Sequence, residues 1–259
     1  MCLNHEYAPM TSAWAETHSM FVDTLFSSIE WKTRYALDKE GNAYPLELFK
    51  AKEEKLNLLK PMRILSIIFV ATFEREVHEL AEPTAEKIIE LAKANYKKFY
   101  DLSEDSVRVL SIPHIYSWQS SCSYHGYGLA EIALSQWREY FYKKYGYIVD
   151  NPKVGKEMKK AWQWGSAKDF QECIRLATGK KLSSQALIKE ITMTPAQVLK
   201  RAKLRLKTMK AVKSYTKPVN LKAKIKMVHG KKTITDNKIS FEVMAEKYAK
   251  WMNNLNRLN

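Results

Sequence analysis

Glu16, Ser19, Met20 and Asp23 fall at i, i+3, i+4 and i+7 of a segment that reads as helix, so all four share one face. Two carboxylates seven residues apart among apolar neighbours cost desolvation energy unless a cation or hydrogen-bond donors meet them. A metal ligand, Glu16, backed by a second carboxylate, Asp23, answers that need. So does an ordinary amphipathic helix with Glu16 near its start, where the macrodipole favours a carboxylate, and Asp23 turned to solvent. The four residues alone leave both accounts open, and the plain helix is the commoner of the two.

A second group runs from Ile112-Pro113-His114-Ile115-Tyr116 to Tyr124-His125-Gly126-Tyr127-Gly128. His and Tyr side chains held on a glycine-containing loop can donate hydrogen bonds to an oxygen that becomes negative during acyl transfer. Gly126 and Gly128 would allow backbone to approach a ligand closely. Half-buried packing by the same aromatic residues is the simpler alternative.

Mostly helical elements must position these groups. The pattern predicts a first helix from Thr11 or Ser12 to about Tyr35, a turn at Lys39-Glu40-Gly41-Asn42, and a helix that Pro45 opens and Pro61 ends. An apolar helix over about 62–80 follows, then one capped by Pro83-Thr84 that reaches Tyr100, and a shorter one capped by Ser103. Pro113 pushes Ile112 out of the helical region. Residues 117–123 read as loop, and helix resumes from Tyr124 or Leu129 to Tyr145. Gly146, Pro152, Gly165 and Gly179 punctuate short helices. Thr194-Pro195-Ala196-Gln197 carries a capping box opening a helix to about Lys213. Alternation of apolar residues with lysine over Val219–Val228 predicts a half-buried strand, His229-Gly230-Lys231 a hairpin turn, and Ser240 the cap of a last helix. The expected division is 1–213 and 214–259.

The charge is uneven. Thirteen Lys and Arg, and no acid, lie between Glu190 and Asp236, and this stretch accounts for most of the net +15. Lys outnumbers Arg eleven to two there, and the strand lysines alternate with apolar residues, so a solvated basic face is expected rather than a nucleic-acid site. Cys2, Cys122 and Cys173 have no metal-type spacing, which suits a reducing compartment. The longest apolar run, Ile64–Phe73, is about half of the ~20 residues that cross a bilayer. A buried core helix and a cytoplasmic protein with no membrane partner are therefore expected.

Ala15-Glu16-Thr17 with Ser19 and Asp23 resembles the glutamate-bearing helix of the thimet oligopeptidase and oligoendopeptidase F family of zinc metallopeptidases. Phe73-Glu74-Arg75-Glu76-Val77-His78 is similar to that family's Phe-Glu…His helix. The segment from Ile112-Pro113-His114 to Tyr127 resembles its C-terminal His/Tyr segment, and Ala177-Thr178-Gly179 its turn near the C-terminus. The similarity covers about residues 11–210. It implies a mainly α fold, the C-terminal portion of a zincin-like helical oligopeptidase domain, to which a small β-hairpin is added. It also implies zinc held by two His of an HExxH helix and a downstream Glu, with short peptides as substrates. Glu16 matches the third ligand and Asp23 an acidic position on the same helix. His114 and one or both of Tyr124 and Tyr127 match groups that bind substrate and stabilise the tetrahedral intermediate.

HExxH itself is missing: no two of His5, His18, His78, His114, His125 and His229 stand four apart. His5-Glu6-Tyr7-Ala8-Pro9 begins like the motif, but Pro9 holds the second ligand position and breaks helix. The expectation is a truncated or split peptidase, inactive alone, whose partner is a separate N-terminal half carrying HExxH. The alternatives are a basic nucleic-acid-binding protein and a non-catalytic interaction protein with an exposed apolar face.

Overall fold

A computed structural model of the chain describes residues 11–100, 106–117, 120–214 and 222–255. The chain divides into two compact units, Met1–Lys213 and Ser214–Asn259. The fold is mainly helical, with ten α-helices and one two-stranded hairpin among the described residues.

In the first unit α1 (Ser12–Ser27) starts at Thr11, whose hydroxyl accepts from Trp14 N at 3.1 Å. The single helix expected to Tyr35 is broken at Ser28. That residue is extended (φ −68°, ψ 147°), its hydroxyl donates to Leu25 O, and it accepts from Trp31 N to cap α2 (Ile29–Tyr35). One serine thus ends one helix and begins the next.

Pro61 does not end a helix either. α3 runs without interruption from Leu46 to His78. An internal proline removes one hydrogen bond and costs about 3 kcal/mol, offset here by packing on both sides of it. Phe49 is buried with Ile29 and Ala202, and Phe69, Val70 and Phe73 with Ala92 and Val109. By length and composition α3 could cross a bilayer, yet its C-terminal third is buried against α4 (Ala85–Tyr100). The buried core expected for Ile64–Phe73 is confined to that third, since Met62 and Ile68 are exposed. The cap expected at Ser103 lies outside the described residues.

α5 (His125–Tyr145) packs most extensively on α1. Their core of Trp14, Phe21, Leu134, Trp137 and Phe141 extends to α6 (Pro152–Trp162) and α7 (Phe170–Thr178) through Met158, Phe170 and Ile174. Gly146 and Gly179 stop α5 and α7 in the left-handed region (φ 76° and 75°), where glycine carries no Cβ penalty. α8 (Gln185–Ile191) and α9 (Pro195–Met209) complete the unit. The predicted capping box at Thr194 and Gln197 is formed, although α9 stops four residues before Lys213.

A polar network ties α2 to the rest. Arg34 pairs with Asp150 at 2.6 Å and donates to the carbonyls of Met209 and Val212, while the Tyr35 hydroxyl donates to the same carboxylate.

His18 is enclosed by the rings of Trp14, Trp137 and Trp162. Its Nδ1–H donates to Trp14 O at 2.7 Å and its Nε2 accepts from Trp162 Nε1 at 2.6 Å, which fixes the neutral imidazole. Burial lowers its pKa, outweighing the backbone bond to Trp14. The unfolded chain takes up a proton from about pH 6.5 downward before the folded one does, so the stability His18 contributes is complete above that pH and lost as pH falls. We expect thermal unfolding to shift downward between pH 7.5 and 5.5, and His18→Gln to shrink that shift. An unchanged shift in the variant would assign it to other groups.

In the second unit β1 (Lys226–His229) pairs antiparallel with β2 (Lys232–Asp236), with Gly230 at φ 57° in the turn. β1 is shorter than the predicted strand, whose positions 219–221 lie outside the described residues. The Asn237 side chain accepts from Ile225 N and donates to Ala223 O, occupying the backbone that would otherwise extend the ladder. Ser240 caps α10 (Phe241–Leu255), its hydroxyl accepting from Val243 N at 3.2 Å.

Candidate active site

Four of the five residues singled out by sequence come together in the first unit, each from a different local device. Pro113 holds Ile112 extended (φ −79°, ψ 113°) and starts a 3-10 turn over Pro113–Tyr116 that carries His114. The Tyr116 hydroxyl fastens this turn by donating to Leu110 O at 2.6 Å. Tyr124 is the residue before α5, and Tyr127 lies in that helix's first turn. Glu16 comes from α1.

The Tyr127 hydroxyl lies 3.2 Å from His114 Nε2, and the Glu16 carboxylate is near enough for its charge to act on the phenol. If His114 Nε2–H donates to the phenol oxygen, the phenol proton stays free to be donated elsewhere. Ser19 donates to the same carboxylate at 3.1 Å. The rings of His114, Tyr124 and Tyr127 meet edge-on or tilted, with centroids 5.1 to 5.8 Å apart. Burial, then the Glu16 charge, raises the Tyr127 pKa, and burial, then the Glu74 charge, raises that of Tyr124. Both phenols therefore stay protonated through neutral pH and remain donors.

Glu74 was not foreseen in this role. It is 2 % exposed on α3, and its Oε2 accepts from Tyr124 N at 2.9 Å. Tyr124 offers no side-chain cap of its own, so a carboxylate from another helix satisfies a donor at the start of α5 and complements its dipole. The other oxygen, Oε1, is buried without a hydrogen-bond partner among the described residues. Phe73-Glu74 was visible as part of a family-like motif, but its partner lies 50 residues away, beyond any local signal.

Gly126 and Gly128 are helical rather than part of a loop, and ligand approach is not what Gly126 serves. A Cβ at Gly126 would run into Ser12 Oγ and lie 3.1 Å from Ala13 N. The glycine lets the first turns of α1 and α5 close on each other, which places Tyr127 beside Glu16.

Asp23 does not join the group. It is exposed two turns further along α1, and its side chain has no partner among the described residues. His5 and Glu6 lie outside the described residues.

The zinc implied by the family resemblance is not accommodated by these residues alone. Among the described residues no group of three or more His, Cys, Asp or Glu is placed to hold a metal. Glu16 offers a single carboxylate where zinc takes four ligands, and the nitrogens of His18 are both engaged within the fold.

A comparison with curated proteins finds no match. The model of peptidase family M3 matches residues 4–193, a stretch that includes Glu16, Glu74, His114, Tyr124 and Tyr127. This chain belongs to peptidase family M3, the zinc-dependent thimet oligopeptidase and oligopeptidase F family.

Proposed function

We propose that this chain provides the substrate side of a zinc-dependent site that hydrolyses short peptides. Glu16 is its one metal ligand, and Tyr127, His114 and Tyr124 are the groups that meet the scissile carbonyl. The observation that carries this reading is the Tyr127 hydroxyl at 3.2 Å from His114 Nε2 and within reach of the Glu16 charge. A donor that stays protonated at neutral pH stands beside the carboxylate assigned to the metal. An oxygen gaining negative charge there is met by a preorganised O–H, oriented by the imidazole behind it. Asp23, exposed on the same helix, is assigned to the acidic position that the family resemblance implies there.

The HExxH pair and its water-activating Glu are not among these 259 residues. They have to come from another segment or another chain, and the chain's own part is to bind and orient the peptide. Alone, it is expected to hold zinc no more tightly than a single surface carboxylate does and to leave a quenched fluorescent peptide intact. Addition of a polypeptide carrying the HExxH helix should produce zinc-dependent cleavage that Glu16→Gln abolishes. Stoichiometric zinc binding by the isolated chain, or restored cleavage indifferent to Glu16→Gln, would overturn the assignment.

A further inference from the structure

The family match ends at residue 193, and the second unit, Ser214–Asn259, carries chemistry of another kind. It holds ten Lys or Arg against three acids, Asp236, Glu242 and Glu246, close to half of the chain's net +15. Three rings stand in series on it. His229 at the end of β1 lies 5.3 Å from Trp251 of α10, and Trp251 lies 5.8 Å from Tyr248 at an interplanar angle of 28°. His229 is exposed and the other two are half-buried.

Cations collar these rings. The register sets Lys232 opposite His229, so both side chains leave the same face of the hairpin. Lys231 precedes it in the exposed turn. Lys247 lies one helical turn before Trp251, on the same side of α10. All three lysines are exposed, and among the described residues none has an ion-pair partner. Packing of the hairpin on α10 accounts for the His229–Trp251 contact, but it requires no collar of unpaired lysines.

We propose that this unit binds single-stranded nucleic acid, with unpaired bases stacking on the Trp251, Tyr248 and His229 rings and phosphates meeting Lys231, Lys232 and Lys247. Aromatic faces beside cations that follow a backbone are what sequence-tolerant single-strand binding uses. A duplex keeps its base faces stacked and offers nothing to the rings. An anionic membrane surface would call for a continuous apolar face, whereas the unit's exposed apolar residues are divided: Val228 on the opposite side of β1 from His229, Ile239 before α10, and Met252 and Leu255 at the end of α10.

The test is fluorescence anisotropy of labelled 20-nucleotide oligo-dT and oligo-U with the full chain across a salt series, against duplex DNA and phosphatidylglycerol vesicles as competitors. Binding to the single strands should weaken with salt at a log–log slope of about −2, as three phosphate contacts give. Trp251→Leu should weaken it about ten-fold or more, and Lys231→Gln with Lys232→Gln should flatten the slope by about 1.4, to about −0.7. Reversal of the basic face of α9 (Lys200→Glu, Lys203→Glu, Lys207→Glu) should leave it within about two-fold. The paired lysine variant sits in an exposed turn, so it tests the surface even where Trp251→Leu disturbs the unit. Absence of binding at low salt, loss with the α9 variant instead, or indifference to Trp251→Leu in a unit shown folded by circular dichroism would each overturn the proposal. Displacement by vesicles or duplex as effective as by single strands would do the same. Preference for oligo-dT or oligo-U tells DNA from RNA. None of these outcomes depends on the peptidase reading.

Discussion

Tyr127→Phe is expected to lower kcat for peptide cleavage about 10²–10³-fold in a site completed by an HExxH helix, with little change in KM. The ring, its packing on Tyr124 and His114 and the helix turn that carries it all survive the substitution. What disappears is the one O–H that lies against His114 Nε2 and within reach of the Glu16 charge. A donor aimed at an oxygen that becomes charged only during reaction contributes to the transition state and not to substrate binding, so the loss falls on kcat. The pH profile gives a second reading. Burial and the Glu16 charge raise the Tyr127 pKa above the ordinary ~10, so its contribution should persist on the alkaline side until pH exceeds that value. Steady-state kinetics of the reconstituted enzyme decide the matter. An equal fall in kcat/KM and rise in KM at constant kcat would make Tyr127 a binding residue only.

Trp137→Ala is expected to destabilise the first unit by about 3–5 kcal/mol, the range for removing a large aromatic residue from a core. Trp137 is fully buried in α5, and its ring meets those of Trp14, His18 and Phe21 at 5.7, 5.2 and 5.6 Å. The cavity would open between α1 and α5, the helix pair that brings Glu16 to Tyr127. One term works against the loss: Trp137 Nε1 is buried without a partner among the described residues, so removing the indole also removes a donor that none of them satisfies. Trp137→Phe keeps most of the aromatic contact and sheds that donor, and it should cost clearly less. Urea unfolding followed by circular dichroism measures both variants, and equal losses would show that the indole edge, rather than cavity volume, sets the stability.

Several features of the fold are legible one turn at a time. Thr11, Thr84, Thr194 and Ser240 begin helices because a hydroxyl reaches an N–H three residues on. Gly146 and Gly179 end them because glycine enters the left-handed region freely. The turn of the basic hairpin is legible in the same way, with Gly230 at φ 57°, whereas the alternation before it overran β1, which begins only at Lys226. Each of these rests on partners within about four residues. Pro61 was misread for the same reason: locally it breaks a helix, and only the packing of Phe49, Phe69 and Phe73 on either side of it shows why α3 continues.

The candidate site divides along the same line. Residue types and their order marked Glu16, His114, Tyr124 and Tyr127, and their resemblance to a peptidase family foretold what the family match then showed. Sequence spacing put Asp23 on the face of Glu16, but a shared face is not a shared environment, and no described group meets it. Nor could spacing show that Glu74 would hold the start of α5, or that Gly126 is there to admit α1.

The sequence by itself determined most of the helix caps, the family and the chemical types available to a site, because these depend on short-range hydrogen bonding and on the identity of side chains. Only the tertiary structure decided that a phenol from α5 and an imidazole from a 3-10 turn are hydrogen-bonded, with a carboxylate from α1 beside them. The reason is physical: partners 13 to 111 residues apart are joined by the burial of Trp14, Phe21 and Trp137 and by the close approach at Gly126, which no local pattern encodes.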